Sequence, residues 1–236
     1  MNTTEKKLPT IKFFHIFFRK DSEYAELSYT EKYLYAFLAQ KSFNYMQWTF
    51  ETKNGKKKMD IPMILMFLED DHYYIEMLNF PYSKLTEITG LSIPTLWKAF
   101  NNLKKKGFVK ECNGKYRIKY PAHFVMEPDG KEALYIDIGK NYTDVNVSCF
   151  SRVLYALIKG FPNGCNAKNE SLARFCAVDE KKILNTIYQL RKKGLLYRNL
   201  KTGYFEFGEK PLSRAKQVKL MSWDISAERV QSGCPY

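Results

Sequence analysis

Two stretches decide the fold: LWKAFNNLKKKGFV at residues 96–109 and ILNTIYQLRKKGLL at residues 183–196. Each reads as an amphipathic helix that ends in a basic run and then a glycine, which lets the chain turn away from the helix axis. They stand 87 positions apart, and the match extends upstream without a gap. Leu85 meets Leu172, Ile88 meets Phe175, Leu96 meets Ile183, Phe100 meets Ile187, Leu103 meets Leu190 and Gly107 meets Gly194. Apolar residues and glycine at matched positions are the mark of one structural unit written twice.

Further upstream the match resumes at a different offset. FFHIFFRK (13–20) lies over ALYIDIGK (133–140), and LSYTEKYLYAFL (27–38) over VSCFSRVLYALI (147–158), both 120 apart. The fall from 120 to 87 puts about 33 extra residues into the first copy, within 40–81. Each copy then reads as an extended segment, a helix capped by Ser28 or Ser148, a short helix (SKLTEITG or ESLARFCA), a tight turn, and a long helix capped by Ser92 or Asp179. Beyond the glycine, FVKECNGKYRIKY and LLYRNLKTGYFEF place two β-rich runs around Asn113-Gly114 and around Lys201-Thr202-Gly203.

Helix, helix, turn, helix, hairpin is the order of a winged helix-turn-helix. The expected fold class is therefore α+β, with two tandem winged helix-turn-helix domains, the first carrying a β-rich insert. Expected boundaries are 1–125 for the first domain, with its insert at about 40–81, 126–210 for the second, and 211–236 for a tail. In the tail, RAKQVKLMSWDISAERV reads as a short helix that packs on the second domain or pairs with another subunit. In the insert, WTFETKNGKKKMDI predicts a hairpin around Asn54-Gly55, YYIEMLNF predicts a strand, and IPMILMFLED suits either helix or strand. Such an insert extends the wing-side sheet or forms a dimerisation element.

The 38 Lys and Arg against 25 Asp and Glu leave a formal charge of +13. A globular chain this basic suits a polyanionic partner, nucleic acid first and an anionic membrane surface second. No apolar run approaches the roughly 20 residues that span a bilayer, and MNTTEKKLPT lacks the apolar core of a signal peptide. A soluble cytoplasmic protein, associated with nucleoid or plasmid DNA, is expected. The five cysteines form no C-x-x-C pair, and His15, His72 and His123 lie far apart, so neither a disulfide framework, a metal site nor a cofactor is expected. There is no G-x-x-x-x-G-K-[ST] loop, and the trio Glu69, Asp70 and Asp71 reads as a surface turn, not a two-metal site. The expectation is a binding protein, not an enzyme.

In a helix-turn-helix the second helix enters the major groove. With Leu96, Phe100 and Leu103 inward, the first long helix presents Pro94, Thr95, Lys98, Asn101, Asn102 and Lys105. With Ile183, Ile187 and Leu190 inward, the second presents Lys181, Lys182, Asn185, Tyr188, Gln189 and Lys192. Neither set contains a carboxylate. Asn and Gln pair with adenine, and Lys reaches guanine or phosphate, so these residue types suit base reading. Ser92, at the start of the first helix, joins the candidates. Lys105 and Lys106, beside Lys104, and Lys192 and Lys193, beside Arg191, suit phosphates, which position a protein without carrying sequence. Lys115, Arg117, Arg198 and Lys201 near the hairpin tips add backbone or minor-groove contacts. Trp97 and Tyr188 read as half-buried supports, not base-stacking groups.

The first half resembles a known family in FFHIFFRK, YAELSYTEKYLYAFLAQK, the Asn-Gly hairpin and YSKLTEITGLSIPTLWKAFNNLKKKGFV. These are similar to the N-terminal domain of RepA-N type plasmid replication initiators of low-GC Gram-positive bacteria. The most specific piece is Leu27-Ser28 followed by Lys32-Tyr33-Leu34-Tyr35-Ala36, and the resemblance covers roughly 12–120. It implies a dimeric initiator that binds repeated origin sequences and recruits host replication proteins, with residues 93–106 as its recognition helix. The second half departs from that family, which continues with a different, smaller domain. It looks more like tandem winged-helix initiators of other plasmids, whose two domains grip successive major grooves. The expected function is sequence-specific binding of double-stranded DNA as a replication initiator of a plasmid or mobile element. The alternatives are a transcriptional regulator of the same fold, or a protein-binding adaptor or inhibitor.

Overall fold

The computed structural model describes residues 10–45, 47–52, 55–60, 67–69, 72–77, 80–120, 134–139 and 147–208. The expected tail helix, Asn54, residues 61–66, Asp70, Asp71, His123 and Cys234 lie outside them. Within them the chain is mixed α+β, with six α-helices and antiparallel sheets. The first copy runs β1 (Thr10–Phe14), α1 (Tyr29–Tyr45), β2 (Gln47–Thr52), β3 (Gly55–Asp60), β4 (Phe67–Glu69), β5 (His72–Glu76), α2 (Tyr82–Thr89), α3 (Ile93–Lys105), β6 (Val109–Cys112) and β7 (Lys115–Lys119). The second runs β8 (Tyr135–Gly139), α4 (Cys149–Lys159), α5 (Asn169–Phe175), α6 (Glu180–Lys192), β9 (Leu196–Arg198) and β10 (Phe205–Phe207). FFHIFFRK is extended only at its start, since His15–Phe18 forms a 3-10 turn that buries Ile16, Phe17 and Phe18. No described helix is long and apolar enough to cross a membrane.

The helix ends follow the side chains that cap them. Ser148 accepts the Ser151 N–H at 3.1 Å, Ser92 that of Thr95 at 3.4 Å and Asp179 that of Lys182 at 2.7 Å. At α1 the cap is reciprocal: Ser28 Oγ accepts the Glu31 N–H at 3.3 Å while the Glu31 carboxylate accepts the Ser28 N–H at 2.9 Å. Gly107 and Gly194 stand at φ 74° and 69°, which lets the Phe108 N–H reach Leu103 O at 2.9 Å and the Leu195 N–H reach Leu190 O at 3.0 Å. Both long helices thus end in the same motif, as their shared Lys-Lys-Gly implies.

The insert extends a sheet. β2 and β3 pair antiparallel, while β5 pairs with β7 to give the four-stranded order β4-β5-β7-β6. The sheet reading is thus the one observed for β4 and β5. β9 and β10 form the simpler two-stranded counterpart in the second copy.

Residues 31–39 of α1 and all of Cys149 to Ile158 in α4 are buried. A helix buried on every face belongs at the centre of a fold, and α1 and α4 meet there between the two copies. The contacts across this seam exchange equivalent residues. Phe14 pairs with Tyr135 while the His15 N–H donates to Leu134 O at 2.9 Å. Under the 120-residue offset Tyr135 is the counterpart of His15, and Leu134 that of Phe14. Likewise the Tyr29 ring meets Phe150 with centroids 4.5 Å apart, and Phe150 is the counterpart of Thr30. Exchange of this kind is what an approximate twofold axis between the copies produces.

Each copy also holds the turn of the other. The Tyr29 hydroxyl donates to Cys176 O at 2.6 Å, at the C-terminus of α5. The Arg152 guanidinium donates to Thr89 O and, at 3.2 Å, to Gly90 O, at the C-terminus of α2. Thr89 and Cys176 are 87 positions apart, so the two acceptors are equivalent carbonyls. Both satisfy the orphan end of a helix, and the cation also complements its negative dipole end. The next residues, Gly90 and Ala177, share positive φ angles of 63° and 52°. Alanine there carries a cost of about 1 kcal/mol that glycine avoids.

Lys32, the counterpart of Arg152, is 5% exposed and donates to Phe17 O at 2.7 Å. Burial, and then the Lys182 charge, bring its pKa down to about 8. Below that pH the amine is charged in both folded and unfolded chains and the burden of burial is fully present. Above it the folded amine is neutral while the unfolded one still holds its proton, so stability should rise as pH climbs from about 8 towards 10. Buried tyrosines such as Tyr33, whose hydroxyl burial pushes up to about 12, act in the opposite sense as the unfolded phenol ionises near 10. The readout is therefore the difference between the parent and Lys32→Met in denaturant unfolding at several pH values. A gain of about 1–3 kcal/mol should appear in the parent and vanish in the variant; parallel pH profiles would refute it.

Candidate nucleic-acid interface

α3 and α6 are built in the same frame. Leu96, Ala99, Phe100 and Leu103 are buried on α3, and Ile183, Thr186 and Leu190 on α6, with Ile187 partly so. At 100° per residue, the line opposite these stripes is Pro94, Lys98, Asn101 and Lys105 on α3. On α6 it is Lys181, Asn185, Tyr188 and Lys192, at the matching positions. Lys98, Lys105, Lys181, Lys192, Lys193 and Lys201 are exposed and make no ion pair among the described residues. Glu180, in the first turn of α6, is an exposed carboxylate beside the line, and Asp179 is engaged as the cap.

Several candidates serve the fold instead. Asn102 donates its amide to Glu31 Oε1 at 2.8 Å, and Lys106 reaches Glu31 Oε2 at 2.8 Å and Glu26 O at 2.7 Å. Burial pushes the Glu31 carboxyl up, but Lys106, the Ser28 N–H and Asn102 outweigh it and hold it below the usual carboxylate value. Both residues are thereby drawn off the outward face onto α1, because that flank of α3 looks at a buried carboxylate. Arg117 is bound to Glu69 and lies 3.4 Å over the Phe67 ring, so it belongs to the sheet. Glu69, from the acidic trio, is thus occupied by Arg117 and by Lys110 at 3.5 Å. Arg198 donates to Ala167 O at 2.7 Å, Gly203 O at 3.1 Å and Asn169 Oδ1 at 3.3 Å, bracing its hairpin from within.

The remaining candidates keep exposed polar ends. Ser92 and Thr95 share a 2.8 Å hydroxyl bond at the start of α3. Lys115 meets Glu76 at 2.9 Å, an exposed pair that a phosphate can replace at little cost. Lys182 sits at the seam, 5.0 Å from the Phe150 ring centre and 5.4 Å from that of Tyr29.

The flank that Glu31 fills in the first copy differs in the second, where its counterpart is Ser151. A shallow concavity of about 350 Å³ lies there, lined by Ser148, Ser151, Asp179, Lys182, Asn185 and Gln189. The Gln189 side chain therefore has no carboxylate to hold it as Asn102 has, and makes no hydrogen bond among the described residues. The two helices present different chemistry on one scaffold.

Trp97 and Tyr188 are not half-buried supports. They are 61% and 62% exposed, and Leu184, which sequence reasoning passed over, is 49% exposed. The signal was available in the repeat itself, since Trp97 and Leu184 are 87 positions apart and stand one step round from the outward line. No protein family, curated protein or solved structure matches this chain.

Proposed function

We propose that this chain binds double-stranded DNA in a sequence-specific manner through two winged helix-turn-helix units, as the replication initiator of a plasmid or mobile element. The observation that carries the binding reading is the matched outward line of α3 and α6, rich in lysine and amide groups without partners among the described residues, on helices whose turns are braced across the seam. Lysines that make no internal ion pair are available to phosphates, and free amides to base edges. Two reading helices related by an approximate twofold meet a duplex as the halves of a symmetric dimer do. One chain then covers two half-sites about one helical turn, roughly 10 bp, apart. The initiator role rests on the resemblance of residues 12–120 to RepA-N initiators and is tested by whether the gene with adjacent repeats sustains a replication-deficient plasmid.

Binding itself is tested by a salt series on duplexes recovered from genomic DNA. With ~6–10 phosphate contacts, affinity should fall by ~10³–10⁵ between about 50 and 200 mM salt. Absence of duplex binding at low salt would reject the proposal in favour of a protein-binding adaptor on the same scaffold.

A further inference from the structure

The reading helices carry large apolar groups that no core receives. Trp97 and Leu184, at equivalent positions, are 61% and 49% exposed, and Tyr188 on the outward line is 62% exposed. Single apolar residues on a surface are ordinary; the same position left apolar and exposed on two helices of otherwise different sequence is a constraint on what covers them. Around them stand Lys98 and Asn101 on one helix, and Lys181 and Asn185 on the other, so the covering surface is anionic and offers hydrogen-bonding edges as well as an apolar spot. The duplex major groove has one such apolar group, the C5 methyl of thymine. Asn101 and Asn185 have the amides that pair bidentately with adenine, thymine's partner. Neither outward line carries an arginine, so guanine readers there are limited to the lysines.

We propose that Trp97 and Leu184 select thymine, and that each half-site holds A·T pairs beneath these residues and the neighbouring asparagines. This rests on the DNA-binding reading above.

The test uses the full chain. Duplexes selected from a random pool should show A·T pairs in both half-sites, and replacing each thymine there by deoxyuridine removes only the methyl. Binding should weaken about fourfold per contacted methyl, the burial of one carbon. Trp97→Ala should abolish that sensitivity in the α3 half-site alone, and Leu184→Ala in the α6 half-site alone; both positions are exposed, so the fold should tolerate them. Equal affinity for thymine and deoxyuridine duplexes, recovery of G·C pairs at these positions, or parental DNA binding by both variants would overturn the assignment and leave the apolar spots to a protein partner. Failure to recover any duplex at low salt would instead overturn the DNA-binding reading, and the assignment with it.

Discussion

Arg152→Ala should unfold with a stability loss of about 3–4 kcal/mol, from a buried carbonyl left without its donor together with the loss of a buried side chain. Arg152 is 3% exposed, and its guanidinium serves Thr89 O and Gly90 O while standing 5.9 Å from the Tyr33 ring centre. Removing it leaves the buried Thr89 carbonyl without its donor, at a cost of about 1–3 kcal/mol, takes a second bond from the exposed Gly90 and opens a cavity between the copies. For a chain of this size the melting temperature should drop by roughly 6–16 °C. Tyr29→Phe removes one neutral hydrogen bond at the equivalent carbonyl of the second copy and should cost only about 1 kcal/mol. Calorimetry on both variants checks the pair. A loss below about 1 kcal/mol for Arg152→Ala would mean that the brace contributes little.

The consequence reaches past stability. Arg152 belongs to the second copy and holds the end of α2 in the first, so under the proposed function its loss should loosen α3 relative to α6. Affinity for a paired site should therefore fall more than affinity for an isolated half-site, since a fixed geometry turns the second contact into an intramolecular one.

The local parts of this fold were legible in the chain because local rules set them. Four caps, Ser28, Ser92, Ser148 and Asp179, and the terminal glycines Gly107 and Gly194 are short-range features, and each stands where its neighbours imply. The Glu31 side chain completes a Ser-x-x-Glu capping box, also readable from spacing alone. What spacing does not carry is the second use of that side chain, as acceptor for Asn102 and Lys106 more than 70 residues away. Periodicity placed Asn102 on the outer half of α3, and it does lie there; a carboxylate from another helix then takes it. Arg117 and Arg198 illustrate the same limit, because a cation near a hairpin tip looks free until the strand or loop beside it is known. The twofold relation was likewise out of reach, since repetition says that two units are alike and nothing about how they face each other. Trp97 departs from expectation for a simpler reason: an aromatic residue suggests a core, but its angular position, 100° from Leu96, puts it outside the stripe.

Once Asn102, Lys106, Arg117 and Arg198 are assigned to bracing, the largest effect on DNA binding should come from the residues left on the outward line. Lys98→Ala with Asn101→Ala should weaken specific binding by about 2–4 kcal/mol, roughly 30- to 1000-fold, and erase protection of one half-site. Asn185→Ala with Tyr188→Ala, at the equivalent positions, should erase the other. All four side chains point away from the buried stripes and make no hydrogen bond among the described residues, so stability should change by less than about 0.5 kcal/mol. Asn102→Ala provides the contrast: it should lower stability by about 1 kcal/mol through Glu31 while leaving base preference unchanged. Footprinting and equilibrium unfolding on the same three proteins separate the two roles. If both double variants protect the parental site in full, the matched lines of α3 and α6 do not face the bases and the duplex must be held elsewhere. If instead each loses its own half and neither alters the other, the two copies read different halves of one site, which their differing side chains, Lys98 and Asn101 against Asn185 and Tyr188, already imply.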